Sequence, residues 1–544
     1  MRGDGFPQRP WTKNRLFATI ICDSLPMPRS RAHTAAISNR QQAGRWPEGF
    51  PLTNYFSSTR SRHATTSHRA ALRASAAAEH GVYLGHDERG WCHVPPQQSV
   101  MILGPPRSGK TTSLIIPNVL SSNGPVLSTS TKPDVLDATV GARSALGRCF
   151  LFDPTRSVGS SRPLPPLRWS PLQSCTTWLA SLSMARALVE VGSASSVRSA
   201  QHGEGSHWSE RAQALLAPLL HAAGLAGVDM RTVLTWVDRR RALPAQQILA
   251  GEPGSATELA RNLLDGIVAT DERELSGIWS TASGSLGGFR SDQALDATVD
   301  PDFDPVGFVN SSDTVYIASP AHHQALVAPM VVGLIDDVRH ATYARGAEPA
   351  HRGRGPVLLA LDEVTNIAPI PDLPSMISEG GGQGLVTVAC FQDLSQARHR
   401  WPTQAEGFPS LFGTTVVLPG IGDVRTVEAL SVLAGEEEIP TRTVSLGRTL
   451  TGHPLIDLAS GGSPQVGEAV STQWRRRLPP DVIARGAPGH ALAFDERNRP
   501  AWIPLAPSHD VEPWRSLRAL DFVPDHRPPL LDGPAHDVGP DLRR

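Results

Sequence analysis

Gly104-Pro105-Pro106-Arg107-Ser108-Gly109-Lys110-Thr111 is the stretch that decides the fold. It fits the phosphate-loop pattern G-x-x-x-x-G-K-[ST], with an apolar run at 99–103 before it and helix-compatible residues at 112–116 after it. With 48 glycines and three lysines in 544 residues, chance matches number roughly 0.003. The glycines let the backbone wrap a phosphate, so that successive N–H groups and a helix N-terminus face its oxygens. The cradle for ATP therefore runs through Gly104, Pro105, Pro106, Arg107, Ser108, Gly109, Lys110, Thr111 and Thr112. Lys110 is expected to reach the β- and γ-phosphates and the Thr111 hydroxyl to hold Mg²⁺. Pro117 is expected to kink or shorten the helix that follows.

The partner carboxylates lie far downstream. Val357-Leu358-Leu359-Ala360-Leu361-Asp362-Glu363 is an apolar strand ending in two acids, the Walker B pattern. Asp362 would support Mg²⁺, and Glu363 would act catalytically by polarising the attacking water. The alternative is an ordinary strand-end turn. Asp362 follows Thr111 by 251 residues, whereas one βαβ unit needs roughly 30. Something large is inserted between them. A third run, 385–391, ends in Gln392, which suits a γ-phosphate sensor in an additional-strand ATPase; a plain polar cap would look the same.

Runs at 126–130 and 149–152 read as buried parallel strands, and strand texture resumes at 314–318, 414–418 and 491–494. Residues 81–85 and 90–94 read as short strands around a turn. Between 172 and 286 the texture is helical, with apolar residues at helical spacing through 178–190, 208–225 and 231–250. The expected organisation is a basic, disordered arm (1–78) followed by the first segment of a nucleotide-binding domain (79–171). An all-α insertion (172–287), the second nucleotide-binding segment (288–507) and a loose Pro/Asp-rich tail (508–544) follow. The fold class is α/β, a P-loop ATPase domain with a parallel-rich central sheet and an inserted all-α domain.

Charge sharpens this reading. Lysines and arginines total 51 against 52 acids, yet only Lys13, Lys110 and Lys132 are lysines. A surviving lysine therefore points to chemistry that wants a compact ammonium. Residues 1–75 carry a net charge of +9 (12 basic, 3 acidic), leaving −10 (39 basic, 49 acidic) for the rest. Any nucleic-acid path must then be a local stripe. The arginines at 239–241 and 475–477 are candidates, although three adjacent arginines on a helix point in different directions and default to a solvated face. Five scattered cysteines without a C-x-x-C pair exclude a zinc ribbon and a disulfide framework. The 19 histidines show no clustered ligand set, so no structural metal is expected.

Taken in order, these residues resemble the TraG/TraD-type coupling proteins of conjugation and type IV secretion, additional-strand P-loop ATPases related to FtsK/HerA, over most of residues 81–505. The resemblance is carried by LGPPRSGKTT (103–112) with Ile116-Pro117, STSTKPD (128–134), Phe152-Asp153-Pro154 and Trp169-Ser170-Pro171-Leu172. It continues through His207-Trp208 running into Ala222-Ala223, Leu361-Asp362-Glu363, QDLSQ (392–396) and WRRRLPPD (474–481). It implies a RecA-like motor domain, an inserted all-α domain and a homo-hexamer around a channel. The implied activity is a Mg-dependent ATPase that feeds single-stranded DNA or a relaxase nucleoprotein into a conjugative channel, beside secretion-channel ATPases and membrane components. Residues 431–448 fall where the family's recognition region for accessory relaxosome proteins is expected.

The chain also departs from the family. Its members usually carry N-terminal transmembrane helices, but no apolar run here approaches the roughly 18–20 residues of a span. The expected location is the cytoplasmic face of the membrane, through a partner or an anchor upstream of Met1, and otherwise the cytoplasm. Some relatives place a trans-acting cation before the sensor strand; the loop 379–384 has no arginine, which leaves Arg398 and Arg400 as substitutes. Two rivals follow: a soluble FtsK/HerA-like double-stranded DNA translocase, and a weakly hydrolysing ATP-binding recruitment platform. The helical insertion and the STKPD, WSPL and QDLSQ elements count against the first. The arginine-free loop favours the second, and the Asp362-Glu363 pair favours a motor.

Overall fold

The computed structural model describes residues 57–59, 81–87, 90–158, 164–196, 204–347, 355–449 and 463–522. Most of the basic arm and the end of the tail lie outside the described residues. Near the start, β1 (Ser57–Thr59), β2 (Tyr83–Asp87) and β3 (Gly90–His93) form a small antiparallel sheet in the order β1-β3-β2. β1 corrects the reading of 1–78 as wholly disordered, since Ser57–Thr59 pairs with Trp91, Cys92 and His93. Three residues are too few to show a periodic pattern.

The main sheet follows, with β4 (Val100–Leu103), β5 (Val126–Ser130), β6 (Cys149–Phe152), β7 (Thr314–Ala318), β8 (Val357–Leu361), β9 (Leu385–Phe391) and β10 (Thr414–Val417). The chain then runs out into the ribbon strands β11 (Glu436–Thr449) and β12 (Ser463–Arg476), and returns as β13 (His490–Phe494) and β14 (Pro500–Pro504). Among the described residues nine strands form one sheet in the order β14-β13-β10-β4-β9-β8-β5-β7-β6. Pairing is parallel from β10 to β6 and antiparallel where β13 and β14 extend the edge. Most of these strands are buried on both faces, which is why they read as largely apolar runs without strict alternation; Val126–Ser130 turns polar after Leu127.

Successive residues serve different cores. Met101, Leu103, Leu359 and Leu361 face one cluster; Val100, Ile102, Leu358 and Ala360 face the other. The second face is covered by α1 (Ile116–Ser121), α2 (Asp134–Ser144) and a C-terminal helix, Trp514–Arg518. The first face carries the helical block, α3 (Trp178–Ser196), α4 (Glu204–Ala226), α5 (Met230–Asp238), α6 (Leu243–Gly251), α7 (Ser255–Val268) and α8 (Glu272–Ser285). It also carries α9 (Gln324–Ala347). One continuous core joins Leu361 and Phe152 of the sheet to Leu216 and Leu264 of the block. The block's chain entry and exit are stitched together, with Trp169 N–H donating to the Ala297 carbonyl at 2.9 Å.

The helix expected across 231–250 breaks. α5 ends at Asp238, Arg240 takes a left-handed φ of 53°, and α6 starts at Leu243. Arg239, Arg240 and Arg241 therefore lie in a turn, announced in the sequence by Pro244 in the first turn of α6. The described start of the tail is not loose. Trp514 and Leu517 are each 1% exposed, and Trp514 stacks on Trp91 with ring centroids 5.2 Å apart. Composition reads as loop there, but two residues at i and i+3 supply the anchor. β14 shows no strand pattern in the sequence because prolines bound it, which suits an edge strand. Among the described residues no helix is long and apolar enough to cross a membrane.

Candidate nucleotide site

β4 lies mid-sheet and opens at its C-terminal end into the loop 104–111, on the edge where open α/β sheets receive ligands. Gly104 is required by space, since a Cβ there would come 2.7 Å from Ser108 Oγ and 3.0 Å from Leu418 Cβ. Gly109 is required by its φ of +96°. The Lys110 ammonium folds over its own loop, donating to the Gly104 carbonyl at 2.5 Å and the Pro105 carbonyl at 2.9 Å.

Immediately after the loop, Thr111–Ile115 winds as a π turn, in which the Ile116 N–H reaches back to the Thr111 carbonyl. α1 follows without interruption and spans six residues, with Pro117 second in it, so that the proline's missing N–H falls at the junction of the π turn and α1. The Asn118 side-chain amide donates to the Leu114 carbonyl at 2.8 Å. This accounts for a proline so close to the loop.

The two acids come to meet the loop across the sheet. Thr111 Oγ1 donates to Asp362 Oδ2 at 2.7 Å. The Asp362 main chain is clamped to β5, its N–H donating to the Thr129 carbonyl at 3.3 Å and its carbonyl accepting from Thr129 Oγ1 at 3.2 Å. Burial pushes the Asp362 carboxyl up, against the opposing pull of the Thr111 hydrogen bond and Lys110. Glu363 is left-handed at φ 54°, ψ 51°, and caps the short helix Val364–Ile367. A non-glycine residue held there costs about 1–3 kcal/mol, and such strain gathers at functional sites.

β9 lies between β4 and β8, and Gln392 directly follows it. The Gln392 N–H donates to Gln396 Oε1 at 3.1 Å, and the same oxygen accepts from Thr365 Oγ1 at 3.4 Å. Gln396 thus ties the end of β9 to the Walker B segment, a role that sequence reasoning missed. Its signal was a polar residue four positions after Gln392, in helical register. The buried Cys390 thiol on β9 is pushed well up by burial and by the Asp362 charge.

The remaining candidates sit elsewhere. Lys132 is exposed in the turn after β5, where Ser130 Oγ donates to Asp134 Oδ1 at 3.0 Å. Arg398 is held by Glu406 and Asp423, each at 2.8 Å, and mostly buried Arg400 donates to the Pro369 carbonyl at 2.9 Å. Neither guanidinium projects outward as a trans-acting cation would. Arg476, at the base of the ribbon, pairs with Glu428 at 2.9 Å. Across from Trp474, Arg475 and Arg476 lie Glu438, Glu437 and Glu436, acids that count against a phosphate-binding stripe.

Thr111 and Asp362 offer hard oxygen donors side by side, a donor set that fits Mg²⁺. The family model described as type IV secretory system conjugative DNA transfer matches residues 58–451. Two conjugal transfer proteins TraG from Escherichia coli are 24% and 25% identical over 355 and 353 residues, 59% of this chain and 53% of theirs. The chain thus spans about half the length of these curated relatives. The bacterial conjugative coupling protein TrwBdeltaN70 has a similar fold, with a TM-score of 0.57 at 17% identity, covering 84% of this chain and 95% of that one. TrwB bound to ADP and Mg²⁺ gives 0.56 at 17%, covering 84% and 96%.

Proposed function

Because this chain belongs to the type IV secretory system conjugative DNA transfer family, we propose that it is a Mg·ATP-dependent coupling-protein motor that moves single-stranded DNA or nucleoprotein into a conjugative channel. One observation carries the reading: the 2.7 Å bond from Thr111 to Asp362, which closes a 251-residue separation and brings the two Walker segments to one sheet edge. The complexes of TrwB with GDPNP, with ADP and Mg²⁺ and with ADPNP support a nucleotide in the corresponding fold.

Lys110 exchanges its two carbonyl partners for the β/γ-phosphate oxygens. Thr111 and Asp362 would hold Mg²⁺, which when bound neutralises the phosphate charge. Glu363, lifted off the strand alternation by its left-handed backbone, orients and deprotonates the attacking water. Gln392 reports the γ-phosphate, with Gln396 carrying that report to the Walker B turn. Assembly as a homo-hexamer, and attachment at the cytoplasmic face of the membrane beside secretion-channel ATPases, belong to the same reading.

The commitment of Arg398 and Arg400 to partners inside the chain favours a second reading, a recruitment platform that binds ATP and hardly hydrolyses it. Steady-state ATPase assays on an oligomeric sample separate the two. The motor predicts turnover stimulated by single-stranded DNA in the wild type, reduced about 10²–10⁴-fold in Glu363→Gln. Wild-type turnover no higher than that of the variant, with DNA present, leaves only the platform.

A further inference from the structure

The sheet order gives the nucleotide site a direction. Asp362 directly follows β8, which lies on one side of β4; β10, β13 and β14 lie on the other. A triphosphate lying across the loop with its terminal phosphate towards Asp362 would have its nucleoside on the opposite flank, that of β10 and β14. Two segments stand on that flank, both at the C-terminal edge of the sheet.

The first is the loop 418–422. Its Leu418 N–H donates to the Leu103 carbonyl at 2.8 Å, and a Cβ on Gly420 would sit 3.2 Å from Pro105 Cγ. Beyond it Gly422 faces open space. The second is the turn after β14. The N–H of fully buried Ser508 donates to the Thr112 carbonyl at 2.9 Å, one residue past the Mg²⁺-site threonine. Arg518 Nη1 fixes Ser508 Oγ at 2.7 Å, and Asp510 N–H closes the turn on the Pro507 carbonyl at 2.9 Å. The turn is thus tied to the loop's own helix, yet its next two side chains, His509 and Asp510, are 54% and 62% exposed. The nearest ionic contact of Asp510, to His509, is a loose 3.7 Å.

We propose that the 507–510 turn and the 418–422 loop wall the nucleoside half of the site, and that the Asp510 carboxylate accepts hydrogen bonds from the ribose hydroxyls. The proposal rests on reading the loop 104–111 as the triphosphate site. A ribose offers two donors and no charge, and an exposed carboxylate on a fixed turn is an acceptor-only partner for them. Such a partner stabilises nucleotides without acting on free polyphosphate.

Equilibrium binding of Mg·ATP, Mg·2′-deoxy-ATP and Mg·tripolyphosphate to the full chain tests this, using wild type, Asp510→Ala, Asp510→Asn and Lys110→Ala. Asp510→Ala is expected to weaken ATP about five- to tenfold, leave tripolyphosphate within about twofold, and erase the preference for ATP over 2′-deoxy-ATP. Asp510→Asn, which keeps an acceptor, falls between. Unchanged ATP affinity in Asp510→Ala, or an equal loss for tripolyphosphate, overturns the proposal. Lys110→Ala reports on the premise alone: full retention of tripolyphosphate binding there rejects the loop as the phosphate site, whatever Asp510 does.

Discussion

The main sheet and the ribbon β11–β12 are built from the same kind of backbone ladder under opposite conditions. In the sheet, strands of four to seven residues pair with partners up to hundreds of residues away and are covered by helices on both faces. In the ribbon, two strands of 14 residues pair, among the described residues, only with each other, from Glu436 opposite Arg476 to Thr449 opposite Ser463. Its described side chains are mostly open to solvent, and Val470 and Trp474 are 70% and 69% exposed. A lone two-stranded ribbon is marginal in water. Burial, not strand length, decides where stability resides.

The largest effect that sharpens this contrast is expected at Trp514. Truncation to alanine removes a ring stacked on Trp91 and packed edge-on against Tyr83, and should cost about 3–5 kcal/mol in denaturant unfolding. A loss below about 1 kcal/mol would show that the C-terminal helix is dispensable to the sheet.

Next comes Asp337 on α9, which accepts from Trp169 Nε1 at 2.8 Å where the helical block joins the sheet. Burial pushes its carboxyl up to about 7. The folded state then keeps a proton that the unfolded chain releases near its ordinary value of about 4, so stability falls as pH rises between those values. Asp337→Asn keeps an acceptor for Trp169 without the charge. It should melt higher than wild type at pH 8 by an amount worth a few kcal/mol, roughly 4 at most, with the gap shrinking below pH 6. A gap independent of pH would remove the carboxyl from the account.

The smallest effect belongs to the ribbon. Trp474→Ala, despite the size of the side chain, should shift unfolding by no more than about 0.5 kcal/mol. A cost above about 2 kcal/mol would mean that the ribbon is held against the body and would break the contrast.

The same contrast explains what is legible in the sequence. Lys110, Thr111 and Asp362 are readable because phosphate and metal chemistry fixes residue identity at fixed spacing. Strands at 314–318, 357–361 and 385–391 are readable because burial on both faces leaves mostly apolar runs, and those at 126–130 and 149–152 because they open apolar and give way to polar residues. Among the described side chains of the ribbon none is buried, so no covered face writes a pattern there, and it begins Glu436-Glu437-Glu438, which argues against a strand. The break at Arg240 carries a local signature in Pro244, at the start of α6, whereas the return of Ser508 to Thr112 depends on a tertiary contact with none. Gln396 belongs to the QDLSQ motif, but its bridge to Thr365 exists only once β9 and β8 lie side by side.

The stacked pair Trp91–Trp514 has a spectroscopic consequence. Two indoles 5.2 Å apart and inclined by 28° are close enough for their transitions to couple, so the pair should give an exciton signal in circular dichroism. Trp514 sits six residues beyond Ser508, on the segment that touches the loop helix. Loss of that signal would report, without any label, when the segment lifts away from the nucleotide edge.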